Sequence, residues 1–268
     1  MKISVVIPTF NESKTISNLI YSLINQTLPP NEIIIVDGFS NDNTIDEVNK
    51  ISKKYKYVKV LQRKNNCRGA GRNTGIKNAK NNYIALIDAG CTVDKHWLQY
   101  LSKKIDSDVV FGSVEPITKN DLDLSYKAIL LNKQNNEELI YPSVCSLLIN
   151  QKIAKNISFL ESSNGDYVVE DLNYINKLIK SSYKISYENK AKVKWQIDSS
   201  NYKIFNRYKE YSFGALNTEY KYVWYKGFMR NIIFVFLIIY LSINYSYYFF
   251  LILLILIILR SYQYLRYL

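Results

Sequence analysis

The chain has 268 residues, of which 48% are hydrophobic and 22% charged, and its 35 basic against 23 acidic residues give a net charge of +12. This composition excludes a disordered or collagen-like chain, and the length allows one or two domains with a buried core. The three cysteines form no Cys-x-x-Cys pair, and His96 is the single histidine. A zinc site, a disulfide scaffold and a nucleophile paired with histidine are therefore not expected.

Short β-branched and aliphatic runs alternate with helical patterns along the first half of the chain. Strands are predicted over 3–7, 33–36, 58–61, 83–87 and 109–111. The runs are continuous rather than alternating, as in parallel strands that are covered on both faces. Apolar residues at 16, 19, 20, 23 and 24 have helical spacing, and a further strand over 144–149 and a helix over 169–180 are expected. This order predicts an α/β fold with a doubly wound, mostly parallel, Rossmann-like sheet.

Polar residues follow the predicted strands where ligands bind in open α/β sheets. Asp37 and Asp88 each end a buried apolar run, and burying a carboxylate is costly unless something pairs with it. Each could instead cap the helix that follows. No Gly-x-Gly-x-x-Gly or P-loop signature is present, which argues against dinucleotide binding. Arg68 and Arg72 open a glycine-containing helix, which suits an anion but is also an ordinary helix start.

Four segments resemble the successive signatures of family 2 glycosyltransferases. They are VVIPTFNE at 5–12, EIIIVDGFSNDNT at 32–44, RGAGRNTGIKNAKNNYIALIDAG at 68–90 and VVEDLNYINKL at 168–178. The resemblance covers residues 1 to about 200 and implies an inverting enzyme with the nucleotide-diphospho-sugar transferase fold. It also implies which residues bind the donor: Pro8, Thr9, Asn11, Glu12, Asp37, Gly38, Arg68, Arg72 and Asp88. Among these, Asp37 would bind the base, Arg72 with Arg68 the nucleotide, and Asp88 the ribose or a metal ion.

The same resemblance makes Asp171, beside Glu170, the base that activates the acceptor. Inverting transfer needs one carboxylate to take the proton of the acceptor hydroxyl. On the predicted helix Asp171 shares a face with Ile175, Leu178 and Ile179, whereas Glu170 shares one with Tyr174 and Lys177, so Asp171 is expected to point inward. The alternative is that both acidic residues only complement the helix dipole.

One position departs from the family pattern. The family usually has Asp-x-Asp after the fourth strand, and here the third position is Gly90. A divalent cation, Mg²⁺ or Mn²⁺, would then be held by Asp88 and mainly by the donor diphosphate, with Asp94 as a further candidate. The chain also lacks the Gln-x-x-Arg-Trp signature of processive synthases, since Gln196 follows Trp195 directly, which favours transfer of a single sugar.

The end of the chain is expected to contact a membrane. We predict a catalytic domain over 1–200, an amphipathic juxtamembrane segment over 201–230 and a hydrophobic anchor over 231–268. Residues 231–259 carry no charge, and a continuous helix through them would be about 44 Å long against a hydrocarbon core of about 30 Å. A single tilted span and a hairpin both remain open. Nucleic acid is not an expected partner, because aromatic and basic residues beside an apolar run are typical of the membrane interface.

The sequence thus predicts a membrane-anchored inverting glycosyltransferase with its catalytic domain on the cytoplasmic side of the cell membrane. It would move one sugar from a nucleotide-diphospho-sugar to a glycan or lipid-linked acceptor. Two alternatives remain open: a polyprenyl-phosphate sugar synthase, and a catalytically weak membrane scaffold of the same fold, which the glycine at position 90 motivates.

Overall fold

A computed structural model of the chain describes residues 1–64, 67–104, 106–117, 142–161 and 170–196, together with six single residues at 225, 229, 233, 236, 240 and 243. The chain divides into two compact units, one formed by 1–117 with 137–197 and the other by 118–136 with 198–268. The first unit contains the sheet and all the predicted site residues. The expected boundary near residue 200 stays a prediction.

The described part of the first unit is an eight-stranded sheet with helices on both faces. The strands are β1 Ile3–Thr9, β2 Glu32–Asp37, β3 Val58–Gln62, β4 Tyr83–Leu86, β5 Cys91–Val93, β6 Val109–Ile117, β7 Leu147–Asn150 and β8 Ile185–Gln196. The helices are α1 Ile16–Ile24, α2 Thr44–Lys54, α3 Arg68–Asn78, α4 Trp97–Ser102, α5 Gln151–Asn156 and α6 Glu170–Ile179. The strand order is β3-β2-β1-β4-β7-β6-β8-β5.

The first four strands form the parallel half of the sheet. β1 lies between β2 and β4 and is parallel to both, and β2 is also parallel to β3. Every residue of β1 and β2 is buried, because helices cover both faces. Val5 and Ile7 face the core under α1, α2 and α4, whereas Val6 faces the core under α3, α5 and α6. The predicted strands of this half and the helix over 16–24 are confirmed.

The expectation of a mostly parallel sheet holds only in part for the other half, where β6 is parallel to β8 but other pairs are antiparallel. β7 is antiparallel to both β4 and β6, and β5 is antiparallel to β8, so the sheet is mixed. The predicted strand over 144–149 begins as a 3₁₀ turn, Val144–Ser146, before β7. β5 and β8 were not predicted. β5 has three residues, and the exposed lysines of β8 alternate with buried Ala191 and Val193, as in a strand with one solvated face.

No helix among the described residues is both long enough and apolar enough to cross a membrane. The predicted juxtamembrane segment and anchor lie outside the described residues, apart from the six single positions between 225 and 243.

A buried carboxylate joins the beginnings of three strands. Glu32 accepts hydrogen bonds from the Ser4 hydroxyl at 2.8 Å and the Lys80 backbone N–H at 3.1 Å, and it pairs with the Lys59 ammonium. Burial raises the pKa of Glu32, but the hydrogen bonds from Lys59 and Ser4 outweigh burial and hold it below its ordinary value. A carboxyl group with a lowered pKa in the folded state stabilises the fold above its unfolded pKa, and this contribution is lost as the pH falls through the folded pKa.

Glu32→Gln should therefore destabilise the protein by roughly 1–3 kcal/mol at pH 7, and the difference from wild type should narrow toward pH 3. Thermal unfolding of both proteins across this range measures the effect. The control is Glu47→Gln, which removes an exposed pair with Lys50 inside α2 and should change Tm little at either pH. A loss of stability in Glu32→Gln that is the same at pH 7 and pH 3 would contradict the lowered pKa of Glu32 in the folded state.

Candidate active site

The loops after β1 and β2 are tied together at the carboxyl edge of the parallel strands. Thr9 lies opposite Asp37 in the register of the two strands. The Asn11 side-chain oxygen accepts from the Asn41 backbone N–H, and the Asn11 backbone N–H donates to the Ser40 hydroxyl, both at 2.8 Å. Asn11 itself has a φ of 56°, a left-handed conformation that asparagine tolerates better than most residues. These bonds fix the shape of the edge.

Asp37 shapes its own loop. It is completely buried, and its two carboxylate oxygens accept from the backbone N–H and the hydroxyl of Ser40. The Gly38 N–H donates to the Thr9 carbonyl at 2.9 Å. The buried Thr9 hydroxyl has no hydrogen-bond partner among the described residues. The predicted donor-binding roles of Pro8, Thr9, Asn11, Asp37 and Gly38 stay predictions.

Glu12 lies beside the glycine that departs from the family pattern. A Cβ atom on Gly90 would lie 3.8 Å from the Glu12 Oε1 atom. Burial raises the pKa of Glu12, and the negative charges of Asp88 and Asp42 raise it further, against the lowering effect of the Thr15 hydroxyl. A carboxylate at position 90 would therefore add another negative charge next to Glu12, which is already close to Asp88.

The most concentrated charge of the site is a group of four side chains, called here the Arg72 cluster: Arg72, Asp88, Glu170 and Asp171. Arg72 Nη2 is 2.6 Å from Asp88 Oδ1, and Nη1 is 2.6 Å from Asp171 Oδ1. Glu170 Oε1 is 3.6 Å from the same Nη1. The cluster joins α3, the end of β4 and the start of α6, so the structure brings these four predicted site residues together.

The two arginines of the site differ in exposure. The Arg72 side chain is completely buried, whereas that of Arg68 is 48% exposed, with its Nε 3.3 Å from Glu170 Oε1. An anion in the cleft therefore meets Arg68 rather than Arg72. Both lie on α3, which approaches β1 closely: a Cβ on Gly71 would make a tight contact with the Pro8 side chain, at 3.0 Å.

The expected orientation of the acidic pair is wrong in one respect. Glu170, not Asp171, shares the buried face of α6 with Tyr174 and Leu178. The Glu170 side chain is 7% exposed and that of Asp171 is 34% exposed. Burial raises the pKa of Glu170, and the charge of Asp171 raises it further, although Arg68 and Arg72 lower it. Asp171 thus lies at the edge of the core, where a ligand can reach it.

Sequence reasoning missed three residues around the cluster. The Cys145 thiol donates a hydrogen bond to Asp88 Oδ2, with 3.1 Å between the two atoms. The Phe159 ring lies against the Arg72 guanidinium, 5.1 Å from centroid to Cζ, and stacks on Tyr174 with ring centroids 3.8 Å apart. No signal pointed to Cys145, because its approach to Asp88 depends on the unpredicted antiparallel pairing of β7 with β4.

The described residues do not form a cation site by themselves. No three of their His, Cys, Asp or Glu side chains are grouped as ligands for a metal ion. Both oxygens of Asp88 are engaged, one by Arg72 and one by Cys145, and Gly90 supplies no second carboxylate. A cation here would depend on oxygens of a donor diphosphate, and the metal requirement stays a prediction.

Comparisons with known proteins agree with the resemblance found in the sequence. Residues 4–164, more than half of the chain, match the family described as Glycosyl transferase family 2. Over 163 residues the chain is 35% identical to a poly(ribitol-phosphate) beta-glucosyltransferase of Bacillus spizizenii, which covers 58% of this chain and 25% of that protein. The chain thus spans a quarter of the length of this relative.

Two further relatives extend the match. The chain is 31% identical over 198 residues to the UDP-Glc:alpha-D-GlcNAc-diphosphoundecaprenol beta-1,3-glucosyltransferase WfaP of Escherichia coli, which covers 67% of this chain and 72% of that protein. The crystal structure of S. aureus TarS 1–349 in complex with UDP-GlcNAc superposes with a TM-score of 0.57 at 21% identity and covers 82% of this chain and 68% of that one. At this identity the superposition shows a shared fold.

Proposed function

Because the chain belongs to glycosyl transferase family 2, we propose that it transfers a single sugar from a nucleotide-diphospho-sugar to a glycan or lipid-linked acceptor with inversion of the anomeric carbon. Asp171 is the general base in this proposal. The observation that carries it is the partly exposed Asp171 carboxylate, held 2.6 Å from a guanidinium that also contacts Asp88 at the carboxyl edge of β4.

The chemistry follows from the charge of each group. Asp171 takes the proton of the acceptor hydroxyl while the oxygen of that hydroxyl attacks the anomeric carbon. The bond from this carbon to the diphosphate breaks at the same time. Arg72 binds one oxygen of Asp171, and no hydrogen bond from the described residues reaches the other, so that oxygen is available for the proton. The exposed Arg68 guanidinium suits the negative charge that develops on the leaving diphosphate.

The names of the relatives support the classes of donor and acceptor. WfaP carries UDP-Glc and a diphosphoundecaprenol-linked acceptor in its name, and the Bacillus relative acts on poly(ribitol-phosphate). UDP-sugars are therefore the first donors to test, and hydroxyl-bearing envelope polymers or lipid-linked sugars the first acceptors. A divalent cation would supply further charge neutralisation at the diphosphate if the donor brings one to Asp88.

Asp171→Asn should lower the release of UDP from a hydrolysed UDP-sugar by roughly 10²- to 10⁴-fold, because an amide cannot take the proton. Donor affinity should stay within a few-fold of wild type. Steady-state kinetics and calorimetry with UDP-glucose, UDP-N-acetylglucosamine and UDP-galactose measure the two quantities. The control is Asp106→Asn, an exposed carboxylate before β6 at the opposite edge of the sheet, which should behave as wild type.

The outcomes separate the candidate functions. Near-normal turnover in Asp171→Asn with a loss in Glu170→Gln would contradict the assignment of the base. If Asp171→Asn loses little turnover with a polyprenyl-phosphate acceptor, the polyprenyl-phosphate sugar synthase is favoured, since an ionised phosphate needs no base. If the wild type binds no nucleotide sugar, the remaining candidate is the catalytically weak membrane scaffold.

Membrane anchoring at the cytoplasmic face is part of the same proposal. The six described residues of the second unit are helical, large and apolar, and between 50% and 77% exposed: Tyr225, Met229, Ile233, Phe236, Tyr240 and Ile243. Basic residues at 221, 226 and 230 precede the uncharged run over 231–259 that contains the last four of these residues, which favours an anionic, lipid-bearing surface.

Deleting residues 231–268 should move the protein from the membrane fraction to the soluble fraction while leaving UDP-sugar hydrolysis measurable. Fractionation of cells that express each form, followed by an activity assay, tests both parts. A wild type that stays in the soluble fraction without detergent would contradict the anchor. A cysteine-accessibility label on a C-terminal tag distinguishes a single span, with an external tag, from a hairpin with an internal one.

A further inference from the structure

The Arg72 guanidinium is a completely buried charge. Its side chain is 0% exposed, and burying an unpaired charge would cost several kcal/mol. The two terminal nitrogens contact two different carboxylates, Asp88 and Asp171, at the same distance of 2.6 Å. A guanidinium can span two carboxylates in this way because its donors lie in one rigid plane, whereas an ammonium is a single point charge.

An aromatic ring also covers the flat face of the Arg72 guanidinium. The Phe159 ring covers it, and Phe159 stacks almost parallel on Tyr174, with an angle of 6° between the rings. Tyr174 lies on α6, three residues after Asp171, and is itself completely buried. Arg72 therefore contacts the start of α6 directly, by the ion pair to Asp171, and is linked through the Phe159 ring to Tyr174 one turn later.

We propose that Arg72 is a positioning residue that acts through Asp171, and that it is not a ligand of the nucleotide. It fixes the place of the Asp171 carboxylate relative to Asp88, on the donor side of the cleft. This inference rests on the proposed role of Asp171 as general base. It differs from the sequence-based expectation, which assigned Arg72 to the nucleotide, because a side chain without exposed surface has none to offer a ligand.

Asp171 lies among several charged side chains. Arg72 and Arg68 face it from α3, Glu170 precedes it on α6, and Asp88 lies across the guanidinium at the end of β4, with the Cys145 thiol on its other oxygen. The positive charges of this group come from the two arginines, and only Arg72 lies at 2.6 Å from Asp171. Removal of the Arg72 charge leaves Asp171 beside Glu170 and Asp88 without its guanidinium partner, so repulsion between the carboxylates displaces the base.

Two substitutions at Arg72 test the proposal in the purified full-length chain, with the UDP-sugar that it hydrolyses. Arg72→Lys keeps the charge but contacts one carboxylate at a time, so kcat should fall by about 10²-fold through misplacement of the base while the donor KM stays within a few-fold. Arg72→Gln removes the charge as well as both contacts, so kcat should fall further than in Arg72→Lys while the donor KM again stays within a few-fold.

Arg68→Lys is the matched comparison on the same helix. Its half-exposed guanidinium is proposed to meet the diphosphate, so this variant should raise the donor KM and leave kcat within a few-fold of wild type. A third variant, Phe159→Leu, keeps every charge but removes the ring against the guanidinium. It should lower kcat several-fold without changing the donor KM, and it decides the question if both Arg72 variants fail to fold.

A rise in donor KM at unchanged kcat in Arg72→Lys would make Arg72 a nucleotide ligand and overturn the proposal. Normal kcat in Arg72→Gln, or normal kcat in Phe159→Leu, would also overturn it. These results are distinguishable from failure of the proposed function. If Asp171→Asn keeps near-normal turnover the base is elsewhere, whereas loss in Asp171→Asn with a KM effect at Arg72 refutes only the positioning role.

Discussion

The pairing of one buried guanidinium with carboxylates from two separate elements determines the arrangement of the site. Arg72 reaches Asp88 at the end of β4 and Asp171 at the start of α6, and neither carboxylate has another basic partner within 2.6 Å among the described residues. Because a buried charge is stable only when it is paired, the three elements have to meet at this point. The donor side and the acceptor side of the proposed reaction are thereby joined by a single side chain.

The rest of the fold is arranged so that this contact can form. α3 carries Arg72 and packs directly on β1, because Gly75 leaves no Cβ to collide with Val6: an added Cβ would lie 2.2 Å from the Val6 Cγ1 atom. The antiparallel strand β7 lies beside β4, and the 3₁₀ turn before it brings the Cys145 thiol to the second oxygen of Asp88. Each carboxylate oxygen of Asp88 thus has its own donor, and the carboxylate cannot rotate freely.

The sequence was informative where local pattern decides structure. Continuous apolar runs predicted the parallel strands, and the ends of those strands pointed to Asp37 and Asp88. The second half of the sheet depends on pairing between distant segments, which no local pattern of β7 reveals. The orientation of α6 was misjudged because Tyr174, not Ile179, belongs to the core: Tyr174 is buried in the stack with Phe159, and Ile179 is 50% exposed. Burial of Arg72 likewise follows from tertiary contacts, since its sequence context is that of an exposed helix start.

A double-mutant cycle on Arg72 and Asp171 tests the central claim most directly. It compares the turnover of a UDP-sugar by wild type, Arg72→Lys, Asp171→Asn and the protein that carries both substitutions. If Arg72 acts through Asp171, the double variant should be no slower than Asp171→Asn alone, because there is no base left to misplace. Losses that multiply, so that the double variant is slower than Asp171→Asn by the full effect of Arg72→Lys, would contradict the account.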